Sequence, residues 1–99
     1  MYSYEVEMTV DDSILDGYIV WLKSHIQEML ALPCFTSCSL FRGTTSNEGS
    51  TLLRASYSYL NESDLQTYLE QYAENMRGAL SSEMKSKVSF SRKHFQRLG

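Results

Sequence analysis

The sequence predicts an α+β domain in which one antiparallel sheet carries two helices on a single face. Three observations predict this class. Segments at both ends of the chain alternate apolar and polar residues, two longer segments repeat apolar residues at helical spacing, and two further strand-like segments flank a polar loop. In chain order they read β-α-β-β-α-β. Because the chain has 99 residues, 42% of them hydrophobic, we expect a single domain over residues 1–99 with one core.

A change of period separates the first strand from the first helix. Residues 2–10 alternate apolar side chains with Ser, Glu and Thr, which is typical of a strand with one buried face. Asp11, Asp12 and Ser13 then offer side chains that can cap a helix. Beyond them apolar residues recur every three or four positions as far as Pro33, which predicts a helix of about five turns.

The middle of the chain predicts a hairpin. Residues 34–42 are rich in Thr, Ser, Phe and Cys and are expected to form the second strand. Residues 43–50 are polar and predict the loop, and residues 51–60 predict the third strand. The core face of the third strand is expected to hold Leu53, Ala55, Tyr57 and Tyr59. For the second strand two alternatives stay open, Cys34 with Leu40 and Phe35 with Phe41.

The last third of the chain predicts a second helix and a fourth strand. Ser63 stands three residues before Gln66, as in a capping box, and apolar residues at helical spacing follow from residue 65 to residue 80. Leu69 is among those expected to face the core. In the final strand Val88, Phe90, Arg92 and His94 share one face.

Right-handed crossovers leave one natural arrangement of these elements. It is a ferredoxin-like fold, with strand order 4-1-3-2 and both helices on one face of the sheet. The first and last strands are then neighbours, and the charges agree with this. Up to Pro33 the chain has six acidic residues and one basic residue, whereas from Leu80 onward it has five basic residues and one acidic residue. Opposite charges on paired strands stabilise a sheet.

The sheet face turned away from the helices is predicted to be polar and paired in charge. Glu5 and Glu7 on the first strand and Arg54 on the third lie on this face and are candidate binding residues. Three alternatives follow: the face is solvated in a monomer, a second subunit covers it, or it binds RNA. The third strand lacks the Gly and the aromatic spacing of RNA-recognition modules, and the net charge of −3 opposes a polyanion. We therefore expect no nucleic-acid partner.

Trp21 and His25 are four residues apart and share one side of the first helix. They predict the wall of a pocket in which His25 acts as acid, base or ligand. The alternative is a structural histidine that packs on Trp21 and bonds a loop carbonyl. Glu5 and Glu7 are expected to be neutralised by a cation rather than to share a proton.

No metal site and no cofactor are expected. His25 and His94 are the only histidines, and their spacing matches no ligand set. Cys34 and Cys38 are four residues apart, which suits neither a zinc knuckle nor a disulfide within a strand. The N-terminal segment has no signal-peptide pattern, and no apolar run reaches the ~20 residues of a membrane span, so we expect a cytoplasmic protein without membrane contact.

A resemblance to a known family rests on four short segments and three single residues. The segments are residues 21–26, 34–37, 65–69 and 88–92, and the single residues are Glu28, Leu30 and Tyr57. Together they resemble the short bacterial proteins of domain-of-unknown-function family 4286, over almost the whole chain. The resemblance implies a ferredoxin-like subunit related to the dimeric α/β barrels and brings no established activity. Gln27 and Pro33 stand where similar sequences would have Pro and Gly, a difference at the end of the helix.

Two functions of different classes remain after this reading. The favoured one is a homodimeric, non-catalytic module that binds a small molecule or a partner, because no convincing catalytic set is present. The alternative, which the resemblance to dimeric α/β barrels implies, is a cofactor-independent monooxygenase or isomerase that acts on a small apolar substrate, with His25 as base. The candidate site residues are Trp21, His25, Glu5, Glu7 and Arg54. The enzyme hypothesis requires a cavity beside His25.

Overall fold

The computed structural model describes residues 1–45 and 47–99 and has the predicted order of elements. Its four strands are Tyr2–Asp11 (β1), Ser37–Arg42 (β2), Ser50–Tyr59 (β3) and Val88–Gln96 (β4). They form one antiparallel sheet with the order β2-β3-β1-β4, which is the predicted order read from the other edge. The predicted ferredoxin-like fold class is therefore confirmed.

The alternation of β1 divides its side chains between the two faces of the sheet. Tyr4, Met8 and Val10 are at most 3% exposed and face the helices. Glu5 and Glu7 point to the opposite face, because successive side chains of a strand alternate. β1 is central and pairs with both β3 and β4, so the terminal strands are neighbours as predicted.

The first helix, α1, spans Leu15–Ala31 after a single 3-10 turn at Asp12–Ile14. Asp11 caps that turn, because its Oδ1 accepts a hydrogen bond of 2.9 Å from the backbone N–H of Ser13. The helix ends before Pro33, as predicted. Its core-facing side chains recur at helical spacing and are Tyr18, Leu22, Ile26 and Met29.

The predicted capping box at Ser63 and Gln66 is wrong. The helix α2, Glu62–Thr67, begins earlier, since β3 ends at Tyr59 and Asn61 already serves as the N-cap residue. The backbone N–H of Asn61 donates to Oδ2 of Asp64 at 3.1 Å. Gln66 instead donates to Oε1 of Glu70 at 2.6 Å along the helix surface.

A wide π-helical turn, Tyr68–Tyr72, separates α2 from α3, Ala73–Arg77. Because this turn holds an additional residue, the buried face passes from Tyr68 to Ala73 instead of following 3.6-residue spacing. Leu69, predicted to face the core, is 42% exposed for this reason. A further short helix, α4, covers Ser82–Lys85 and precedes β4; four residues are too few to show a helical period in sequence.

The second strand is shorter than predicted. It begins at Ser37, and Cys34 and Phe35 are buried in the core ahead of it, 3% and 7% exposed. Their burial reflects the turn that brings the chain from the end of α1 down to the sheet. The prediction that the strand starts at residue 34 is therefore wrong, because it included these buried residues in the strand.

The pairing of β2 with β3 decides which of its side chains face the helices. Cys38 lies opposite Tyr57 and Leu40 opposite Ala55, so both share the core face. Phe41 lies opposite Arg54 and is 54% exposed. The predicted loop over residues 43–50 includes residue 46, which lies outside the described residues. No helix in the described part of the chain is both long and apolar enough to cross a membrane.

Candidate functional site

A cavity of about 420 Å³ lies between the helices and the sheet. Its sheet side includes Met8, Ala55 and Tyr57, and its helix side includes Trp21, His25 and Met29. Small-molecule sites are usually concave, mostly apolar and roughly 300–1,000 Å³ in volume. The size and lining of this cavity fall within that class.

Trp21 and His25 form one stacked pair on the wall of the cavity. Their ring centroids are 4.6 Å apart and the rings lie within 15° of parallel. Tyr18 extends this row of rings along α1, with its ring centroid 5.6 Å from that of Trp21. The spacing of four residues along α1 produces this stack, because residues i and i+4 lie one above the other.

The imidazole of His25 is partly buried and incompletely bonded. Its Nδ1 is buried and has no hydrogen-bond partner among the residues that the structure describes. Burial lowers the pKa of His25 below 6.5, and the nearby charge of Glu28 opposes this without overcoming it. The ring is therefore neutral at pH 7, and Nδ1 can donate or accept a hydrogen bond according to the tautomer. The alternative bond from Nδ1 to a loop carbonyl is not seen in the described residues.

Phenol groups complete the interior of the cavity. The hydroxyl of Tyr18 donates to Sδ of Met8 at 3.1 Å. Burial raises the pKa of Tyr18 to about 12 and that of Tyr68 to about 12, and it raises the pKa of Tyr57 as well. All three phenols are therefore neutral at pH 7 and keep their O–H groups, of which that of Tyr18 is already donated to Met8.

The cavity also includes basic residues that sequence reasoning did not place in a site. Arg77, Lys85 and Arg92 line it and are exposed, so they stand at its mouth. Nη2 of Arg77 donates to the hydroxyl of Tyr4 at 3.1 Å, and the guanidinium of Arg92 lies 4.9 Å from the ring centroid of Phe90. One signal in the sequence could have indicated these residues. Arg92 is a cation, yet it alternates in step with the side chains of the last strand that face the core.

Glu5, Glu7 and Arg54 lie on the opposite face of the sheet, away from Trp21 and His25. Nη2 of Arg54 is 3.0 Å from Oε1 of Glu7, and the two side chains are 49% and 34% exposed. Glu7 is thus neutralised by a cation, as expected, whereas Glu5 forms no salt bridge within the described residues. The hydroxyl of Ser56 donates to Oε2 of Glu5. These residues line a shallow cleft of about 480 Å³, so the five candidate site residues belong to two separate surfaces.

Cys34 and Cys38 are free thiols. Burial raises the pKa of both, that of Cys38 to about 11, so neither is a reactive thiolate at neutral pH. Within residues 1–45 and 47–99, no cluster of three or more His, Cys, Asp or Glu side chains has the geometry of a metal site. The polar chemistry of the cavity thus comes from His25, the phenols and the basic residues at its mouth.

Comparison with known families agrees with this fold. The family model described as "Domain of unknown function (DUF4286)" matches residues 1–98. The chain belongs to this family. None of the curated proteins compared with it matches the chain.

Solved structures of similar shape come from differently described proteins. A protein of Deinococcus radiodurans, assigned provisionally as an antibiotic biosynthesis monooxygenase, aligns with TM-score 0.75 and 10% identity over 98% of this chain and 92% of its own. A mutant of SnoaB, a cofactor-independent oxygenase from Streptomyces nogalater, gives 0.68 and 11% over 99% and 94%. A dimeric ferredoxin-like protein from an uncultured marine organism gives 0.56 and 12% over 100% and 98%. At these identities the likeness shows that this DUF4286 family member shares their fold.

Proposed function

We propose that the chain, as one domain of residues 1–99, is a small-molecule-binding protein whose ligand occupies the cavity beside His25. The observation that carries this proposal is a cavity of about 420 Å³ whose lining includes His25, a residue whose Nδ1 is buried without a hydrogen-bond partner among the described residues. An unfilled space forfeits the dispersion contacts of the side chains around it, and an unpaired buried polar atom costs further free energy. A ligand with an apolar body would recover the lost dispersion contacts, and a polar substituent could form a hydrogen bond with the imidazole.

The shape of the wall indicates a flat ligand. The parallel rings of Trp21 and His25 and the phenol of Tyr57 offer faces and edges against which an aromatic ring packs well. Because the imidazole is neutral, one ring nitrogen accepts a hydrogen bond and the other donates one, so the ring can pair with a ligand hydroxyl or carbonyl. The neutral phenol of Tyr68 is a further donor. We therefore expect a planar, largely apolar molecule.

Isothermal titration calorimetry with 2-naphthamide, a neutral flat aromatic amide, tests this proposal. We expect saturable binding with a stoichiometry of one per chain. Ala55→Leu adds volume at the floor of the cavity, where Ala55 is 1% exposed, and should weaken binding about tenfold. Ala31→Leu is the matched control, because Ala31 is exposed at the end of α1 outside the cavity. Equal binding by both variants would contradict a ligand in this cavity.

We also propose that the protein is a cytoplasmic homodimer. In this dimer the two sheets would pack through their open faces, the faces turned away from the helices. The dimeric ferredoxin-like protein of similar fold supports this. Phe41 and Phe95 are 54% and 52% exposed on this face, on the two edge strands, and flank the strip of Glu7 and Arg54. Large exposed apolar side chains beside a charge-paired strip are typical of an interface. Light scattering should give twice the chain mass of 11.4 kDa, and Phe41→Glu with Phe95→Glu should halve it.

A second candidate function is oxygenation without a cofactor. It is favoured by the neutral imidazole of His25 in the cavity lining, which can take a proton from a bound substrate. SnoaB, of similar fold, is described as a cofactor-independent oxygenase. Oxygen uptake with anthrone, whose conversion to anthraquinone consumes one O₂ and releases one water, tests it. His25→Gln should slow the uptake by about 10²–10⁴-fold, while Trp21→Phe should retain most of it. If the unchanged protein takes up no oxygen, the oxygenase hypothesis is contradicted and only the binding function remains.

A further inference from the structure

The mouth of the cavity carries only positive charge. Arg77 from α3, Lys85 from α4 and Arg92 from β4 line it, and within the described residues no Asp or Glu does so. The chain as a whole has a net charge of −3, so this concentration of cations runs against its composition. A concave site lined by one sign of charge attracts ligands of the opposite sign.

The two guanidiniums are held in place by the aromatic lining. Arg77 donates to the hydroxyl of Tyr4 at 3.1 Å, and Arg92 stacks on Phe90 with 4.9 Å between the guanidinium carbon and the ring centroid. Both charges lower the pKa of Tyr68, although its burial dominates and leaves that pKa at about 12. Arg92 lies opposite Val6, and Tyr4 and Val6 are neighbours on one face of β1, so the two arginines flank the same part of the cavity lining. Each of them keeps further N–H donors available for a ligand.

We infer that the ligand is an aromatic acid, whose ring lies inside the cavity and whose carboxylate sits at the mouth between Arg77 and Arg92. This inference rests on the proposed binding function and names its ligand class. The planar fork of a guanidinium matches the geometry of a carboxylate, and such charge-assisted hydrogen bonds are about twice as strong as neutral ones. Lys85 adds a third positive charge on the same rim. The aromatic walls disfavour a ligand that is polar throughout. Such a ligand would lose its hydrogen bonds to water on entering the cavity, and the apolar lining offers few hydrogen bonds in return.

A matched pair of probes separates charge from shape. 2-Naphthoate and 2-naphthamide are planar and nearly identical in size, and they differ in the charge of one group. In calorimetric titrations at low salt we expect 2-naphthoate to bind about tenfold or more tightly than 2-naphthamide. Added salt should narrow the difference by weakening only the binding of 2-naphthoate, because the mouth is exposed to solvent.

The variant Arg77→Gln/Arg92→Gln should remove this preference. We expect the affinity for 2-naphthoate to fall about tenfold while that for 2-naphthamide stays within about twofold, which also shows that the cavity has kept its shape. Lys93→Gln is the matched control. It removes one positive charge from the residue next to Arg92, but Lys93 faces the opposite side of the sheet and should leave the preference intact.

Three results would overturn the inference. Equal affinities of the unchanged protein for the two probes, or a preference for 2-naphthamide, would contradict an anionic ligand but not the proposed binding function. Loss of both affinities by equal factors in the double variant would assign the two arginines a structural role. Failure of both probes to bind would instead overturn the proposed function, and the inference with it.

Discussion

The imidazole of His25 lies face to face with the indole of Trp21, with ring centroids 4.6 Å apart and 15° between the ring planes. The contact has two consequences. It contributes to the burial of the imidazole, and this burial lowers the pKa of His25 more strongly than the charge of Glu28 raises it. It also places the only tryptophan of the chain beside the one described buried side-chain nitrogen or oxygen without a partner.

Fluorescence of Trp21 should report the protonation of His25. An imidazolium ring in contact with an excited indole accepts an electron from it and quenches its emission far more than neutral imidazole does. Because the pKa of His25 is lowered from 6.5, emission should fall as the pH decreases, with a midpoint below 6.5. His25→Gln should abolish this fall, whereas His94→Gln, at an exposed position, should preserve it. A midpoint at or above 6.5 would contradict the burial of the imidazole.

The stability of the protein should depend on the same group. Between the lowered pKa of folded His25 and the value of 6.5 expected for the unfolded chain, the unfolded chain binds more protons. The free energy of unfolding should therefore decrease as the pH falls through 6.5 and stop decreasing, as far as His25 is concerned, below the folded pKa. Urea denaturation of the unchanged protein and of His25→Gln measures this contribution as the difference between their pH profiles. Parallel profiles would show that His25 titrates alike in both states.

The open face of the sheet should respond to charge reversal through assembly. Arg54 pairs with Glu7 at 3.0 Å, but the side chains are 49% and 34% exposed, so the pair should stabilise the folded chain by less than about 1 kcal/mol. Arg54→Glu places like charges together on the proposed interface and should raise the dimer dissociation constant at least about tenfold. Lys23→Glu, an equal change on the exposed side of α1, is the control. Sedimentation measures both, and a mass of 11.4 kDa for the unchanged protein at all concentrations would refute the dimer.

The start of α2 offers a test of the corrected helix cap. Asp64→Ala removes the carboxylate that accepts the N–H of Asn61 at 3.1 Å, and it should lower the free energy of unfolding by about 0.5–2 kcal/mol. Ser63→Ala should change it by less than about 0.5 kcal/mol, because Ser63 is an exposed residue within the first turn. Thermal denaturation of both variants distinguishes the two caps. A larger loss for Ser63→Ala would restore the cap predicted from the sequence.

The periodicity of the sequence was enough to predict which side chains of the first strand face the core. Tyr4, Met8 and Val10 were predictable as core residues, because a strand with one buried face must alternate and distant parts of the chain have no influence on that period. The strand order followed from the handedness of the crossovers. The same reasoning failed for Leu69, since the π-helical turn adds a residue that no local pattern announces.

The site shows the opposite limit. The sequence predicted that Trp21 and His25 would share a helix side, because their spacing is a local property of α1. It placed Glu5, Glu7 and Arg54 on the far face of the sheet, and their pairing there agrees with that placement. What it missed is the mouth of the cavity. The residues that form it come from three elements that the fold brings together.

Sequence by itself therefore determined the order of elements, the two faces of the sheet and the stacked pair on α1, all of which depend on side chains a few positions apart. Only the tertiary structure decided that a gap remains between the layers, that Nδ1 of His25 finds no partner among the described residues, and that Arg77 and Arg92 line the same cavity. The physical reason is that cavities and buried polar atoms are properties of packing between distant segments. The balance of their contacts exists only after the helices have closed on the sheet.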